Sequence, residues 1–176
     1  DIKFASLGDK DIVWERGGFL YTMDLATETV TQVKVFINGD FPASRNELID
    51  AGKFIESSDI SPDGKRLLYV ARGDVFTVPA ESGITRNLDK SSSSHERNAR
   101  WSPDGKWIAY ISDKTGEDEI YIRNQTGEGE PIQITKNADT YKYALEWSPD
   151  SKKILWADKK MRLQFVDINS KTVTLI

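Results

Sequence analysis

The chain has 176 residues, of which 38% are apolar and five are tryptophan, so it is long enough to bury a hydrophobic core. Its 24 basic and 28 acidic residues give a formal net charge of −4, which leaves no basic surplus for phosphate groups and argues against a nucleic-acid partner. The absence of cysteine and the single histidine exclude disulfide scaffolds, cysteine-ligated zinc sites and histidine-rich metal sites, and we expect no cofactor.

The hydropathy pattern indicates neither a membrane span nor a leader. No apolar run approaches the roughly 18 residues that a transmembrane helix needs, so we expect no membrane insertion. The first four residues, Asp-Ile-Lys-Phe, lack signal-peptide character, so any targeting segment is expected outside this sequence.

Four groups of short strand patterns follow one another, rich in β-branched and aromatic residues and bounded by Gly, Pro, Asn and Asp. In chain order, strands are predicted at 11–14, 19–24 and 30–33, at 66–69, 75–79 and 85–88, at 107–110, 119–123 and 131–135, and at 153–156, 163–167 and 172–175. One more strand is expected before each group, and no stretch sustains the helical period of about 3.6 residues. The chain is therefore predicted to be all-β.

A five-residue motif stands before three of these groups. Residues 61–65 and 102–106 both read Ser-Pro-Asp-Gly-Lys, residues 148–152 read Ser-Pro-Asp-Ser-Lys, and a degenerate copy occupies residues 6–10. Proline presets φ, aspartate bonds the backbone just beyond it, and glycine supplies the left-handed conformation, so the motif predicts a turn between antiparallel strands. Ser151, which replaces the glycine, is expected to cost little if it tolerates positive φ.

Four strands in a repeat of about 44 residues are typical of β-propeller blades. We predict a single β-propeller segment over residues 1–176, built of four four-stranded antiparallel blades. The blades are predicted at about 1–36, 55–90, 96–136 and 142–176, with an insertion at 37–54 in which residues 46–50 form a short helical turn.

The number of predicted blades leaves the closure of the ring open. Propellers of this kind have roughly six to eight blades, so four blades are expected to be part of a larger ring. Self-association with a second copy, which would complete the ring, and a closed four-bladed ring are the alternatives.

The strand before each turn is usually the innermost of its blade, so residues near its end are expected at the axial channel or its mouth. Alignment on the turn places Phe4, Asp59, Arg100 and Glu146 at the same position, two residues before the serine. Asp59, Arg100 and Glu146 are therefore the candidate positions for binding a peptide or protein partner. The alternative is that they are solvated strand-end charges.

The next position along the inner strand is apolar in every copy. Ala5, Ile60, Trp101 and Trp147 directly precede the serine and are predicted to pack between blades, since tryptophan serves packing more often than ligand recognition.

Two polar segments contain residue types that could form further sites. His95 follows four serines, but a lone histidine in a flexible polar loop gives no sign of an ordered nucleophile and base, so no catalytic residue is predicted. Residues 117–119 are all acidic, but their spacing fits no calcium-loop pattern, so we predict a solvated hairpin tip and no metal ligand.

The third repeat carries a family resemblance. Residues 98–113, Asn-Ala-Arg-Trp-Ser-Pro-Asp-Gly-Lys-Trp-Ile-Ala-Tyr-Ile-Ser-Asp, followed by Gly116, Ile120-Tyr121 and Ile-Gln-Ile-Thr at 132–135, resemble the propeller repeat shared by the TolB-like translocation protein, the prolyl-oligopeptidase group and tricorn-type proteases. Residues 12–21, the long link 36–58 and residues 71–76 look most like the propeller region of tricorn-like serine proteases.

The resemblance implies a non-catalytic propeller segment that binds, filters or positions peptide substrates. The catalytic residues of that family lie in a separate part of its chains, so the segment itself is expected to be inactive while its parent protein would be a serine peptidase. The resembled families include periplasmic, secreted and cytosolic members; the resemblance favours a periplasmic or secreted location, and the sequence leaves the compartment open.

Two other functions stay open. One is a TolB-like or WD-repeat-like protein–protein interaction module. The other, weaker one is a propeller hydrolase with its own site, for which Asp59 and Glu146 would have to supply a carboxylate pair.

Overall fold

The computed structural model describes residues 2–42, 45, 47–89, 91 and 93–176. Its strands form four antiparallel sheets of four strands each, called blades 1 to 4 in chain order. The chain divides into two units, residues 1–48 with blade 1 and residues 49–176 with blades 2 to 4, and each unit is described by itself.

Blade 1 pairs its strands in the order in which they occur in the chain. Its strands are β1 (Ile2–Leu7), β2 (Asp11–Arg16), β3 (Phe19–Asp24) and β4 (Val30–Val33). Trp14 and Tyr21 lie opposite each other on β2 and β3, with stacked rings whose centroids are 5.9 Å apart. The degenerate turn before β2 is closed by the amide of Gly8, which donates to the carbonyl of Asp11 over 2.8 Å.

Blades 2 to 4 repeat the same four-stranded meander. The strands are β5 (Ile55–Ile60), β6 (Arg66–Ala71), β7 (Asp74–Pro79) and β8 (Arg86–Asn87) in blade 2, β9 (Glu96–Trp101), β10 (Trp107–Ser112), β11 (Glu119–Asn124) and β12 (Ile132–Gln133) in blade 3, and β13 (Lys142–Trp147), β14 (Lys153–Asp158), β15 (Leu163–Asp167) and β16 (Val173–Leu175) in blade 4. The sheets confirm the predicted all-β class and its blade architecture. The size of the closed ring stays a prediction.

The predicted helical turn in the insertion is displaced along the chain. Residues 47–50 are irregular, residue 46 lies outside the described residues, and a 3₁₀ helix occupies Ala51–Phe54. The carboxylate of Asp50 accepts from the amide of Gly52 over 3.1 Å and so caps this helix at its N-terminus. The prediction is wrong because Asp50 begins the helical turn where it was expected to end it.

The three complete motif copies form the same self-contained turn. The serine hydroxyl donates to the aspartate Oδ1 over 2.7, 2.6 and 2.6 Å, and the lysine amide donates to that oxygen over 3.1 Å in each copy. Gly64, Gly105 and Ser151 have φ of 69°, 72° and 58°, as the turn requires. The turn prediction is confirmed, including positive φ at Ser151.

The hydrophobic cores of the second unit lie between blades. One joins Leu68, Val70 and Val75 of blade 2 to residues of blade 3 that include Trp101 and Tyr110. The other joins blades 3 and 4, with Ala109, Ile111, Ile120, Ile122 and Ile134 on one side and Leu145, Ile154, Trp156 and Val166 on the other. Packing between sheets therefore supplies the buried apolar surface that each blade lacks on its own.

The prediction of inter-blade packing before each serine holds only in part. Trp101 is buried against blade 2, and Trp147 packs beside the core between blades 3 and 4. Ile60 is 54% exposed and Ala5 is exposed as well, so neither packs against a blade of its own unit, and inter-blade packing stays a prediction for both. This position faces the preceding blade, and residues 49–176 contain no blade before the one that carries Ile60.

Candidate functional site

The inner strands of blades 2, 3 and 4 end side by side at a cleft of about 450 Å³. Asp59, Arg100 and Glu146, one from each strand, line this cleft together with Ser58, Trp101, Pro103 and Trp147. The structure therefore brings three of the four aligned residues to one place. Phe4, the fourth, lies in the first unit on β1 and is 84% exposed.

Asp59 joins blade 2 to blade 3 in the cleft. Its Oδ2 accepts from the backbone amide of Trp101 over 2.9 Å, and its Oδ1 accepts from the amide of Ile60 over the same distance. A carboxylate has about four acceptor sites, so Asp59 keeps capacity for a further donor. One blade later, the indole Nε1 of Trp147 donates to the carbonyl of Arg100 over 3.2 Å.

Arg100 carries the positive charge at the centre of the row. Its Nη1 makes only long contacts of 3.4 Å, with the carbonyls of Ser58 and Ala99. Within the described part of the chain, no carboxylate lies within 4.0 Å of its guanidinium. Asp59 and Glu146 stand on the neighbouring blades, so the cleft presents acceptor, donor and acceptor in sequence, beside two tryptophan rings.

A charged network at the opposite end of the inner strands joins blades 3 and 4. Lys142, the first residue of β13, is buried; its Nζ donates to the carbonyl of Asp118 over 2.6 Å and lies 4.0 Å from Glu119 Oε2. Arg97 forms an ion pair with Asp118 and donates to the carbonyl of Lys142 over 2.9 Å. Burial lowers the pKa of Lys142, and the nearby carboxylates oppose that shift.

This network corrects the prediction of a solvated acidic hairpin tip. Asp118 and Glu119 are 9% and 3% exposed, because Arg97 and Lys142 cover them from the inner strands. The signal that sequence reasoning missed is the residue that begins each inner strand, which is Ile55, Glu96 or Lys142 in blades 2 to 4. Two of these three are charged where a strand enters the core.

Glu96 is the second charged member of that set, and it is fully buried. The hydroxyl of Ser112 donates to its Oε1 over 2.8 Å, and its amide donates to the carbonyl of Gly73 in blade 2. Burial raises the pKa of Glu96 to about 7, and the charge of nearby Asp89 adds to that rise. The contact with blade 2 is made by the backbone amide, and the carboxyl is enclosed within blade 3, so it offers no accessible acid for chemistry.

His95 is placed by packing and by its backbone. Its amide donates to Asp113 Oδ1 over 2.7 Å, and its ring lies so close to Gly73 that a Cβ there would be 2.7 Å from Cδ2. No hydrogen bond joins its ring to the three neighbouring serines that the structure describes; residue 92 lies outside that part. Among the described residues, acidic and histidine side chains form no cluster suited to a metal ion, and no helix has the length and hydropathy to cross a membrane.

Comparison with known proteins identifies the repeat. The family model of the tricorn protease second beta propeller domain matches residues 55–176, which begin at the first residue of β5. The chain belongs to this family.

Individual relatives agree with that assignment. The tricorn protease homolog of Saccharolobus solfataricus is 24% identical over 173 residues, which are 98% of this chain and 15% of the relative. The crystal structure of the tricorn protease matches 97% of this chain and 17% of its own, with a TM-score of 0.65 and 19% identity. The crystal structure of TolB from Acinetobacter baumannii matches 94% of this chain and 40% of its own, with a TM-score of 0.54 and 22% identity. The chain thus spans less than a fifth of the tricorn relatives and is a propeller module of the tricorn-like type.

Proposed function

We propose that this module binds and positions peptide substrates for a tricorn-like peptidase and supplies no catalytic residue itself. The observation that supports this function is the row of Asp59, Arg100 and Glu146 in one cleft, where the arginine has no ion-pair partner among the described residues. Three successive blades contribute the same repeat position to this row, so it crosses the inner strands.

An extended peptide has the chemistry that such a row recognises. Its backbone offers carbonyl acceptors and amide donors in alternation, which suit an arginine flanked by two carboxylates. Glu146 is exposed and makes no hydrogen bond among the described residues, and Asp59 keeps free acceptor capacity. Trp101 and Trp147 add apolar surface on which a side chain of the peptide packs.

The test is a titration of the ¹⁵N-labelled chain, followed by ¹H–¹⁵N correlation spectra. The probe is a neutral host peptide, the blocked heptapeptide acetyl-Ala-Gln-Ala-Leu-Ala-Gln-Ala-amide. We expect shift changes at the ends of β5, β9 and β13, and affinity about fivefold to tenfold lower in the Arg100→Gln and Glu146→Gln variants, since one charge-assisted hydrogen bond contributes about 1 kcal/mol or more.

Matched controls are Lys136→Gln and Glu130→Gln, which remove exposed charges outside the cleft. Equal affinity in the cleft variants and these controls would overturn the proposal, as would the absence of shifts at millimolar peptide. Mass spectrometry of the incubated peptide supplies a second readout. Its cleavage by the purified chain would favour a hydrolase instead.

A further inference from the structure

A second cavity, of about 510 Å³, lies in the crevice between blades 2 and 3. Its walls come from the turn and the β7–β8 hairpin of blade 2 and from the turn of blade 3. Trp101 lines both this crevice and the cleft that holds Arg100, so the two are adjacent.

Two arginines of blade 2, Arg66 and Arg86, line the crevice. Arg66 is oriented by neutral acceptors alone: its Nη2 donates to the carbonyl and hydroxyl of Thr77 over 2.8 and 2.9 Å and to the carbonyl of Ile84 over 3.0 Å. Burial, together with the positive charge of Arg86, lowers the pKa of Arg66. No carboxylate lies within 4.0 Å of either guanidinium in the part of the chain that the structure describes.

The crevice also contains Lys65 and the carboxylates of Asp63 and Asp104. Asp63 accepts from the hydroxyl of Ser61 and from the amide of Lys65, which also lines the cavity. Asp104 is held in the same way by its own turn and lies 3.6 Å from the ammonium of Lys106. Each carboxylate accepts within its own turn, and among the described residues neither lies within 4.0 Å of Arg66 or Arg86.

The fold does not require arginines at these positions. Strand register makes Trp107 and Ile132 their equivalents in blade 3, an aromatic and an aliphatic residue. Two neighbouring positive charges repel each other. The apolar residues at the same positions of blade 3 show that packing alone does not require charged side chains here. Such a pair is stabilised when an anion binds between its members.

We propose that this crevice binds the carboxylate of a peptide, so that the module prefers acidic segments. The inference rests on the proposed peptide-binding function and deepens it by naming the substrate class. Paired guanidinium groups match the two oxygens of a carboxylate in geometry and charge. Trp101 and Pro79 form an apolar wall for the aliphatic part of the residue that carries it, and the volume lies within the range of about 300 to 1,000 Å³ for small-ligand pockets.

The experiment extends the titration of the ¹⁵N-labelled chain. The first probe is the host peptide with its central leucine replaced by glutamate, and the second is the host peptide with a free C-terminal carboxylate. We expect at least one to bind about tenfold more tightly than the neutral host peptide, with shift changes at the amides of Arg66, Arg86 and Gln125. The probe that gains affinity identifies the carboxylate as a side chain or a chain terminus.

The Arg86→Gln variant is the decisive one, because the Arg86 side chain is exposed and makes no hydrogen bond among the described residues. We expect it to abolish the preference for carboxylate peptides while leaving the affinity for the neutral host unchanged. Lys152→Gln, at the corresponding turn of blade 4, removes one positive charge elsewhere and is expected to keep the preference.

Separate outcomes overturn the two proposals. If carboxylate peptides bind no more tightly than the neutral host, or if Arg86→Gln keeps the difference, the carboxylate site is wrong and binding in the cleft stands. If acidic peptides shift the crevice and lose affinity in Arg86→Gln but not in Arg100→Gln or Glu146→Gln, the carboxylate site stands and the cleft proposal is wrong. Binding of no peptide overturns both.

Discussion

At the scale of single residues, the start of each inner strand in the second unit shows how one position accommodates different chemistry. Ile55, Glu96 and Lys142 face Ala71, Ser112 and Asp158 across the first strand pair of their blades. Ile55 is 48% exposed and needs no polar partner, whereas the buried Glu96 accepts from Ser112 and the buried Lys142 donates to the carbonyl of Asp118. Burial also raises the pKa of Glu96 to about 7, which favours its neutral form.

Glu96→Gln is expected to stabilise the chain in mildly alkaline solution. The folded state raises the pKa of Glu96 from 4.5 to about 7, so the neutral form gives its full stability below pH 4.5, and this stability is lost as the pH rises through 7. Glutamine remains neutral and still accepts from Ser112. We expect the variant to exceed the parent in unfolding free energy by about 1 to 3 kcal/mol at pH 8 and to match it near pH 4.5.

Urea denaturation at several pH values measures this difference. Glu130→Gln, which changes an exposed carboxyl, is the control and is expected to follow the parent at every pH. If the free energy of unfolding changed with pH in the same way for the parent and Glu96→Gln, ionisation of the buried carboxyl would not destabilise the fold, and the prediction would be wrong.

At the scale of elements, the sequence predicts well what local chemistry determines. The motif turns follow from Ser, Pro, Asp and Gly within five residues, and alternating β-branched and aromatic runs locate the strands to within one or two residues. The acidic hairpin tip at 117–119 is different, because its burial depends on which side chains the next blade sets against it. The surroundings of Ser151 also depend on the neighbouring blade, because its hydroxyl accepts from the amide of Asp104 in blade 3 over 3.0 Å.

Part of the candidate site could likewise be predicted from the sequence, and part could not. The aligned positions of Asp59, Arg100 and Glu146 could be predicted from the repeat, since equivalent residues of adjacent blades lie side by side. The crevice of Arg66 and Arg86 could not, because these residues are twenty positions apart and meet only through the β6–β7–β8 meander.

Lys142→Met is expected to weaken the junction between the β10–β11 hairpin and β13. The change leaves Glu119 buried and charged, with Thr135 and the amide of Ala138 as its remaining donors. Removing one partner of a buried ion pair costs about 3 kcal/mol, which thermal denaturation at neutral pH would detect. Lys152→Met, at an exposed position, is the control.

A second variant separates the lost charge from lost packing. Adding Glu119→Gln to Lys142→Met removes the orphaned charge, so we expect it to restore part of the stability. A double variant no more stable than Lys142→Met would refute the electrostatic explanation.

At the scale of the whole molecule, blade packing in the second unit repeats one interface. Leu68 and Thr77 of blade 2 and their equivalents Ala109 and Ile122 of blade 3 are buried on the face that meets the next blade. In blade 4 the same two positions are Leu155 and Phe165, which are half-buried and line an open hollow of about 230 Å³. This face has the residues of an inter-blade interface without a blade against it in residues 49–176.

For the 176-residue chain studied by itself in solution, the self-association alternative predicts that a second copy covers this face. The face continues a contact that the fold already makes twice, and burying a phenylalanine contributes about 2 kcal/mol. Phe165→Asp is therefore expected to weaken self-association, measured by sedimentation velocity over a range of concentrations. Thr172→Asp, in the exposed hairpin beside it, adds the same charge and is expected to associate like the parent. A parent chain that sediments as a monomer at every concentration, or equal association of Phe165→Asp and the parent, would show that a second copy does not occupy this face.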